Sequence, residues 1–186
     1  LVAMARRGHD LPQIVKRGEW GDFDPVGLLG TDIHHKTLGI VGMGRIGSEV
    51  AKRATGFSME VLYYNRNRRD AEFGATYVDS LEELLERSDF VSLHNPLNAE
   101  TTGLMSTEQF KSMKKSAILV NTTRGPVVDQ EALYDALKSG EIAGAALDVT
   151  VPEPMPADHP LLTLGNCLIM PHVASATGDT RLKMAL

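Results

Sequence analysis

The chain has 186 residues, enough for one domain with a short appendage and for a continuous buried core. Its 19 Lys and Arg against 24 Asp and Glu leave a formal charge of −5, the wrong sign for a general binder of nucleic acid or of anionic membranes. One cysteine, Cys167, excludes an internal disulfide framework and suits a reducing compartment, and no apolar run is long enough to span a bilayer. The expectation is a cytoplasmic protein with neither membrane nor nucleic-acid partners.

The first 30 residues stand apart. Residues 1–7 and 11–17 read as short helices, and a turn-rich stretch, GEWGDFDP at 18–25, carries the only tryptophan, Trp20. Such an arm has too little company to bury Trp20 locally, so residues 1–30 are expected to form a helical segment and a dimerisation arm that packs on a second copy of the chain. A loop folded onto its own domain is the alternative. Residues 31–186 are expected to form one dinucleotide-binding domain.

From residue 37 onward, β-type runs alternate with stretches of helical period. The strand candidates are 37–42 (TLGIVG), 59–65 (MEVLYYN), 90–93 (FVSL), 117–121 (AILVN), 143–149 (AGAALDV) and 167–170 (CLIM). Helices are marked by Ile46, Val50 and Ala54, by Leu81, Leu84 and Leu85 behind a Ser80-x-x-Glu83 capping box, by Ser106 ahead of Phe110 and Met113, and by Leu133, Ala136 and Leu137 ending at Gly140. Apolar strands separated by helices predict an α/β fold, a doubly wound parallel sheet with helices on both faces.

Gly42-Met43-Gly44-Arg45-Ile46-Gly47 follows a strand and opens a helix, which is the context a dinucleotide fingerprint requires. The first glycine serves the turn, the second lets backbone approach a pyrophosphate, and the third lets helix and strand pack closely. The acid that would hold the ribose 2′-OH of NAD is missing from the end of the second strand. Asn65-Arg66-Asn67-Arg68-Arg69 stands there instead: a neutral residue and three guanidinium groups able to pair with a 2′-phosphate. This predicts NADP, with NAD still usable; a solvated basic loop is the plainer reading of the same run. No metal ligand set is assigned.

In an open α/β sheet, ligands bind outside the carboxyl ends of the strands. The polar residues that follow those ends include Thr122, Thr123 and Arg124, then Asp148 and Glu153, then His172. Beside a nicotinamide, Arg124 can hold a substrate carboxylate, His172 can donate the proton that a developing alkoxide needs, and Glu153 can orient His172. Each alone has a structural explanation; their placement at successive strand ends favours the chemical one.

The chain resembles the nucleotide-binding part of the D-isomer-specific 2-hydroxyacid dehydrogenases, and most of all their glyoxylate and hydroxypyruvate reductase branch. The resemblance rests on LGIVGMGRIG, SLHNPLNAETTGLM, NTTRGPVVDQEALYDALKSGEIAGAALDV and PEPMPADHPLLTLGNCLIMPHVASAT. It implies an NAD(P)-binding Rossmann fold, with Arg124, Glu153 and His172 matching the family's catalytic Arg, Glu and His. It also implies that Arg45 and Ile46 lie on the pyrophosphate, Thr122 and Thr123 near the nicotinamide ribose, and Asp148 near the carboxamide, with Pro96 and Ala174 also on the cofactor. Ala174 departs from the glycine common in relatives.

The activity implied is NADPH-dependent reduction of a small 2-oxo acid to the D-2-hydroxy acid. Other D-2-hydroxyacid dehydrogenases, 2-ketogluconate reductase among them, and a non-catalytic dinucleotide-binding scaffold are the competing readings. The chain opens at Leu1 and closes on an uncapped helical run at 181–186, and it lacks the lid domain of the family's chains of over 300 residues. It is therefore expected to be cut from a longer polypeptide, and to turn over poorly by itself.

Overall fold

Strands that are apolar on both faces must be covered on both, and the alternation of side chains along each strand sends every second residue to one layer of helices. A computed structural model describes residues 1–186 and shows this arrangement. The strands are β1 (Thr37–Val41), β2 (Glu60–Tyr64), β3 (Thr76–Tyr77), β4 (Phe90–Leu93), β5 (Ile118–Asn121), β6 (Gly144–Leu147) and β7 (Cys167–Ile169). They form one sheet in the order β3-β2-β1-β4-β5-β6-β7, with every neighbouring pair parallel. The chain winds outward from β1 in one direction and then restarts at β4 on its other side, which makes the β1–β4 junction the topological switch point.

The helices are α1 (Val2–Ala5), α2 (Leu11–Lys16), α3 (Arg45–Ala54), α4 (Leu81–Arg87), α5 (Thr107–Ser112), α6 (Gln130–Ser139) and α7 (Gly178–Ala185). On one face Leu38, Ile40, Phe90, Ile118 and Val120 pack with Met4 and Ala5 of α1 and with Ala51 and Ala54 of α3. On the other, Val91, Leu93, Leu119 and Leu147 meet Leu84 and Leu85 of α4, Phe110 of α5 and Leu133 and Leu137 of α6. Each such side chain is nearly or wholly out of water, and each one larger than alanine contributes roughly 1.5–3 kcal/mol by its burial. Met4 and Ala5, near the start of the chain, therefore share the domain core.

Local signals end the helices where the sequence places them. Ser80 caps α4 by accepting from Glu83 N–H at 3.1 Å, but Glu83 turns outward to Arg87 at 2.7 Å, so only half of the expected capping box closes. Gln109 instead closes back on the Ser106 N–H of α5 at 3.3 Å. Asp129 caps α6, and Gly140 ends it in the left-handed conformation with φ +72°. The two-residue strand β3 was not expected from the sequence, being too short to carry a period. Between α2 and β1 the chain makes a long excursion whose base is closed by Thr31 N–H donating to the Ala5 carbonyl at 2.7 Å. No helix is long and apolar enough to cross a membrane.

At the switch point, His94 follows β4, and its backbone N–H donates to the Val41 carbonyl at 2.7 Å. Its Nε2 lies 2.9 Å from Ser92 Oγ, and burial pushes the ring's pKa from 6.5 down to about 4. The folded chain thus resists a protonation that the unfolded chain accepts near pH 6.5. Stability should be unaffected by this ring above pH 6.5 and should fall by up to roughly 3 kcal/mol as pH drops from there through about 4. Urea unfolding of the chain and of His94→Gln across pH 4–7 checks this: the variant's profile should be flatter, and parallel profiles would remove His94 as the cause.

Candidate functional site

Register decides where the polar residues at the strand ends fall. Val41 lies opposite both Tyr64 and Leu93, Leu93 opposite Asn121, Asn121 opposite Leu147, and Leu147 opposite Ile169. The strands therefore finish level, and Gly42, Asn65, His94, Thr122, Asp148 and Met170 follow in a row along one edge of the sheet. Every sequence-predicted site residue is on this edge, in the loops that rise from it or in the first turn of α3.

The left half of the row is glycine-lined. Gly42 has φ +99°, and a Cβ there would stand 2.6 Å from Asn95 N and 2.7 Å from the His94 carbonyl carbon, so no side chain fits the switch point. The turn is held by Met43 N–H donating to Asn65 Oδ1 at 2.7 Å. Gly44 opens outward with nothing within 4 Å of its Cβ position. Helix α3 begins at Arg45 with no side-chain cap, in contrast to α4 and α6, leaving the N–H groups of Arg45, Ile46 and Gly47 for an outside acceptor. Beside this turn, a cavity of about 380 Å³ is lined by Gly42, Asn65, Arg66, Asn95 and Pro96, and the buried Asn95 Oδ1 has no hydrogen-bond partner. An uncapped helix, an open glycine and an orphaned acceptor fit a dinucleotide well.

The three arginines that follow β2 are not equivalent, contrary to the expectation of three free guanidinium groups. Arg68 makes two bonds to Glu72, at 2.9 and 3.1 Å, and Glu72 also accepts from Tyr63 Oη at 2.8 Å, so Arg68 belongs to the loop's own framework. Arg66 pairs with Glu100 at 2.7 Å. Arg69 has no ion-pair partner, and Asn67 is exposed. Asn65 spends its carbonyl oxygen on the glycine turn, a role the sequence did not reveal.

The right half of the row holds the titratable residues. His172 Nδ1 lies 2.9 Å from Glu153 Oε2, and Glu153 Oε1 accepts the Thr150 N–H at 2.9 Å. The His172 bond, then the Thr150 amide, and more weakly the charges of His172 and Arg124 hold the Glu153 carboxyl below the usual carboxylate range. Glu153 is therefore anionic at neutral pH and remains so as pH falls past its ordinary value of 4.5. A cavity of about 510 Å³ is lined by Asp148, Glu153, Met155, Met170 and His172.

Arg124 makes no direct bond to either partner; its guanidinium donates to the Thr123 carbonyl at 2.6 Å. Its loop is nonetheless pressed against theirs, because a Cβ at Gly125 would meet the Thr150 carbonyl oxygen at 2.0 Å. Thr122 lines a second, apolar hollow with Asp148, Val173 and Ala174, and Thr123 Oγ1 donates to Asn121 Oδ1 at 2.9 Å.

Three residues that sequence reasoning did not assign to positioning do that work. Buried Asn121 donates to the Arg124 carbonyl at 3.1 Å and accepts from Thr123 N–H at 3.0 Å. Gln130 clasps Val151, donating to its carbonyl at 2.6 Å and accepting its N–H at 2.8 Å. Asp148, expected only near a carboxamide, accepts Val173 N–H at 2.8 Å and Ala174 N–H at 2.7 Å. It thereby pins the backbone just after His172, which is held at φ +55°. For Asn121 and Asp148 the only sequence sign of these roles was a polar residue at the end of a buried strand; Gln130, at the start of α6, gave none.

Comparison with known proteins agrees with this geometry. Residues 1–174 match the family described as D-isomer specific 2-hydroxyacid dehydrogenase, NAD binding domain. The chain is 54% identical to the glyoxylate reductase of Korarchaeum cryptofilum across 100% of its own length and 57% of that protein's. It is 50% identical to glyoxylate/hydroxypyruvate reductase B of Salmonella paratyphi B, over 99% of this chain and 58% of that one. The crystal structure of the TT0316 protein from Thermus thermophilus superposes with a TM-score of 0.94 at 48% identity, over 99% of this chain and 58% of that one. The chain thus spans somewhat over half the length of these relatives. The match is to an NAD-binding domain of that family, and the open glycine turn with the uncapped start of α3 is the feature of the left half that fits such a cofactor.

Asp148→Asn keeps the size of the side chain but opposes an amide to one of the two N–H groups. Denaturant unfolding should show a loss of about 1–3 kcal/mol, the usual cost of stranding a buried partner. A variant as stable as the parent would show that the Val173 and Ala174 bonds contribute nothing.

Proposed function

The chain belongs to the D-isomer-specific 2-hydroxyacid dehydrogenase family, and from that premise we propose that it is the nucleotide-binding part of an NADPH-dependent reductase of glyoxylate or hydroxypyruvate. The product is the D-2-hydroxy acid. The observation that carries the chemistry is the 2.9 Å contact between His172 Nδ1 and Glu153. With Nδ1 engaged by a carboxylate, Nε2 is the nitrogen left to donate a proton to the forming alkoxide. Glu153 is the positioning residue: its second oxygen is anchored on Thr150, so it fixes the ring's orientation.

Arg124 holds the substrate carboxylate by a two-point contact and draws electron density from the adjacent carbonyl. A reduced nicotinamide, when bound, supplies the hydride. Arg45, Ile46 and Gly47 hold the pyrophosphate through the open end of α3, while Thr122, Thr123 and Asp148 border the nicotinamide end and Pro96 the adenosine end. Preference for NADP is supported by a neutral Asn65 at the end of β2, followed by Arg66 and Arg69, neither built into the fold as Arg68 is.

The excursion between α2 and β1 fits a contact with a second copy of the chain. Trp20 is 74% exposed and Phe23 92%, with Val26 and Leu29 also in solvent, although the loop's base is hydrogen-bonded to the core. Burying this set against a symmetry-related partner explains apolar side chains that the domain itself leaves uncovered.

Fluorescence titration of the chain with NADPH and NADH tests the cofactor, and tighter binding of NADH would overturn the preference. In the whole protein, His172→Gln should lower glyoxylate reduction at neutral pH by about 10²- to 10⁴-fold while leaving NADPH affinity nearly unchanged. Retention of full activity would remove His172 as the proton donor. Sedimentation should give a dimer mass that falls to that of a monomer when Trp20 and Phe23 are both changed to serine; a monomeric parent chain rejects the arm's role.

A further inference from the structure

We propose that Glu100 is a specificity-determining residue: it competes with the 2′-phosphate of the cofactor for Arg66 and so narrows the difference in affinity between NADPH and NADH. This rests on the NADP reading of the same site. Glu100 lies in the loop after β4, Arg66 in the loop after β2, and both line the cavity beside the glycine turn. Their contact, 2.7 Å between Arg66 Nη2 and Glu100 Oε2, runs from one wall of that cavity to the other.

The loop that carries Glu100 is firmly built. Asn98 Oδ1 accepts both Glu100 N–H at 2.9 Å and Thr101 N–H at 3.0 Å, and Thr101 Oγ1 donates to the Pro96 carbonyl at 2.6 Å. The backbone that carries the carboxylate is therefore fixed within reach of Arg66. The ion pair itself is soft: both side chains are about two-thirds or more exposed, and neither has another partner in the fold. An exposed pair of this kind contributes little to stability. Arg68 and Glu72 differ, being bidentate and tied to Tyr63.

A phosphate monoester carries nearly two charges and three acceptor oxygens, so it takes a guanidinium from a single carboxylate. Doing so breaks the Arg66–Glu100 pair and leaves Glu100 facing a dianion. A ligand without the 2′-phosphate disturbs neither. Glu100 thus opposes only the phosphorylated cofactor.

The probes are adenosine 2′,5′-bisphosphate and adenosine 5′-monophosphate, titrated calorimetrically into the chain, Glu100→Gln, Arg66→Gln and the double variant. Glu100→Gln should bind the bisphosphate about three- to tenfold more tightly and the monophosphate within about twofold of the parent. The gain should shrink in the Arg66→Gln background and at high salt. An unchanged affinity for the bisphosphate, or an equal gain for both probes, would overturn the proposal. If Arg66→Gln weakens bisphosphate binding while Glu100→Gln has no effect, only the role of Glu100 falls. If neither the 2′-phosphate nor Arg66 affects affinity, the NADP reading falls and this one with it.

Discussion

The level finish of the parallel strands is the constraint on which the rest of the structure depends. Parallel pairing with Val41 opposite Leu93 and Asn121 opposite Leu147 brings six chain segments, separated by up to 128 residues, to one line. A slip of one residue in β6 would turn Asp148 to the opposite face and break its two bonds to the His172 loop. The register is strongly specified because both faces of the central strands are buried, so a slip exchanges the residues facing the two helical layers. Chemistry at the edge is thus stabilised by packing in the middle.

The edge is held by two different kinds of interaction. On the His172 side, polar side chains withdrawn from water find their partners: Asn121 with the Arg124 loop, and Asp148 with Val173 and Ala174. Leaving any of these unpaired is costly, so the loops have few alternative positions. The arginines after β2 stand mostly in solvent, where exchange of partners costs little. The proton donation we propose needs a fixed ring, and the phosphate recognition we propose tolerates a mobile guanidinium, so each half has the rigidity its proposed task requires.

Much of this was legible in the sequence for physical reasons that can be named. The six longer strands announce themselves by apolar runs between helical periods, and the glycine turn by its place between β1 and α3. Glu153 and His172 were found because successive strand ends converge on one edge in any such sheet, and the contact between them followed. What could not be read depends on which loops meet in space. Nothing in Asn65-Arg66-Asn67-Arg68-Arg69 says that Arg68 folds back on Glu72 while Arg66 crosses the cavity to Glu100, since that choice is made by β3 and by the turn at Asn98. Asp148 was placed correctly at the edge, but its partners lie 25 and 26 residues onward, beyond any local pattern.

Net charge takes on a different meaning once the cations are located. A chain of −5 has no general affinity for polyanions, yet Arg45, Arg66, Arg69 and Arg124 all lie in loops or a helix start at the carboxyl edge of the sheet. Most of the remaining arginines, among them Arg7, Arg17, Arg53, Arg68 and Arg87, are paired with acids close by in sequence. The overall negative charge therefore coexists with arginines near the place where α3 presents open N–H groups, although Arg66 is offset by its pair with Glu100. A small phosphate-bearing ligand would meet attraction at those N–H groups, while an extended polyanion would meet repulsion from the net negative surface.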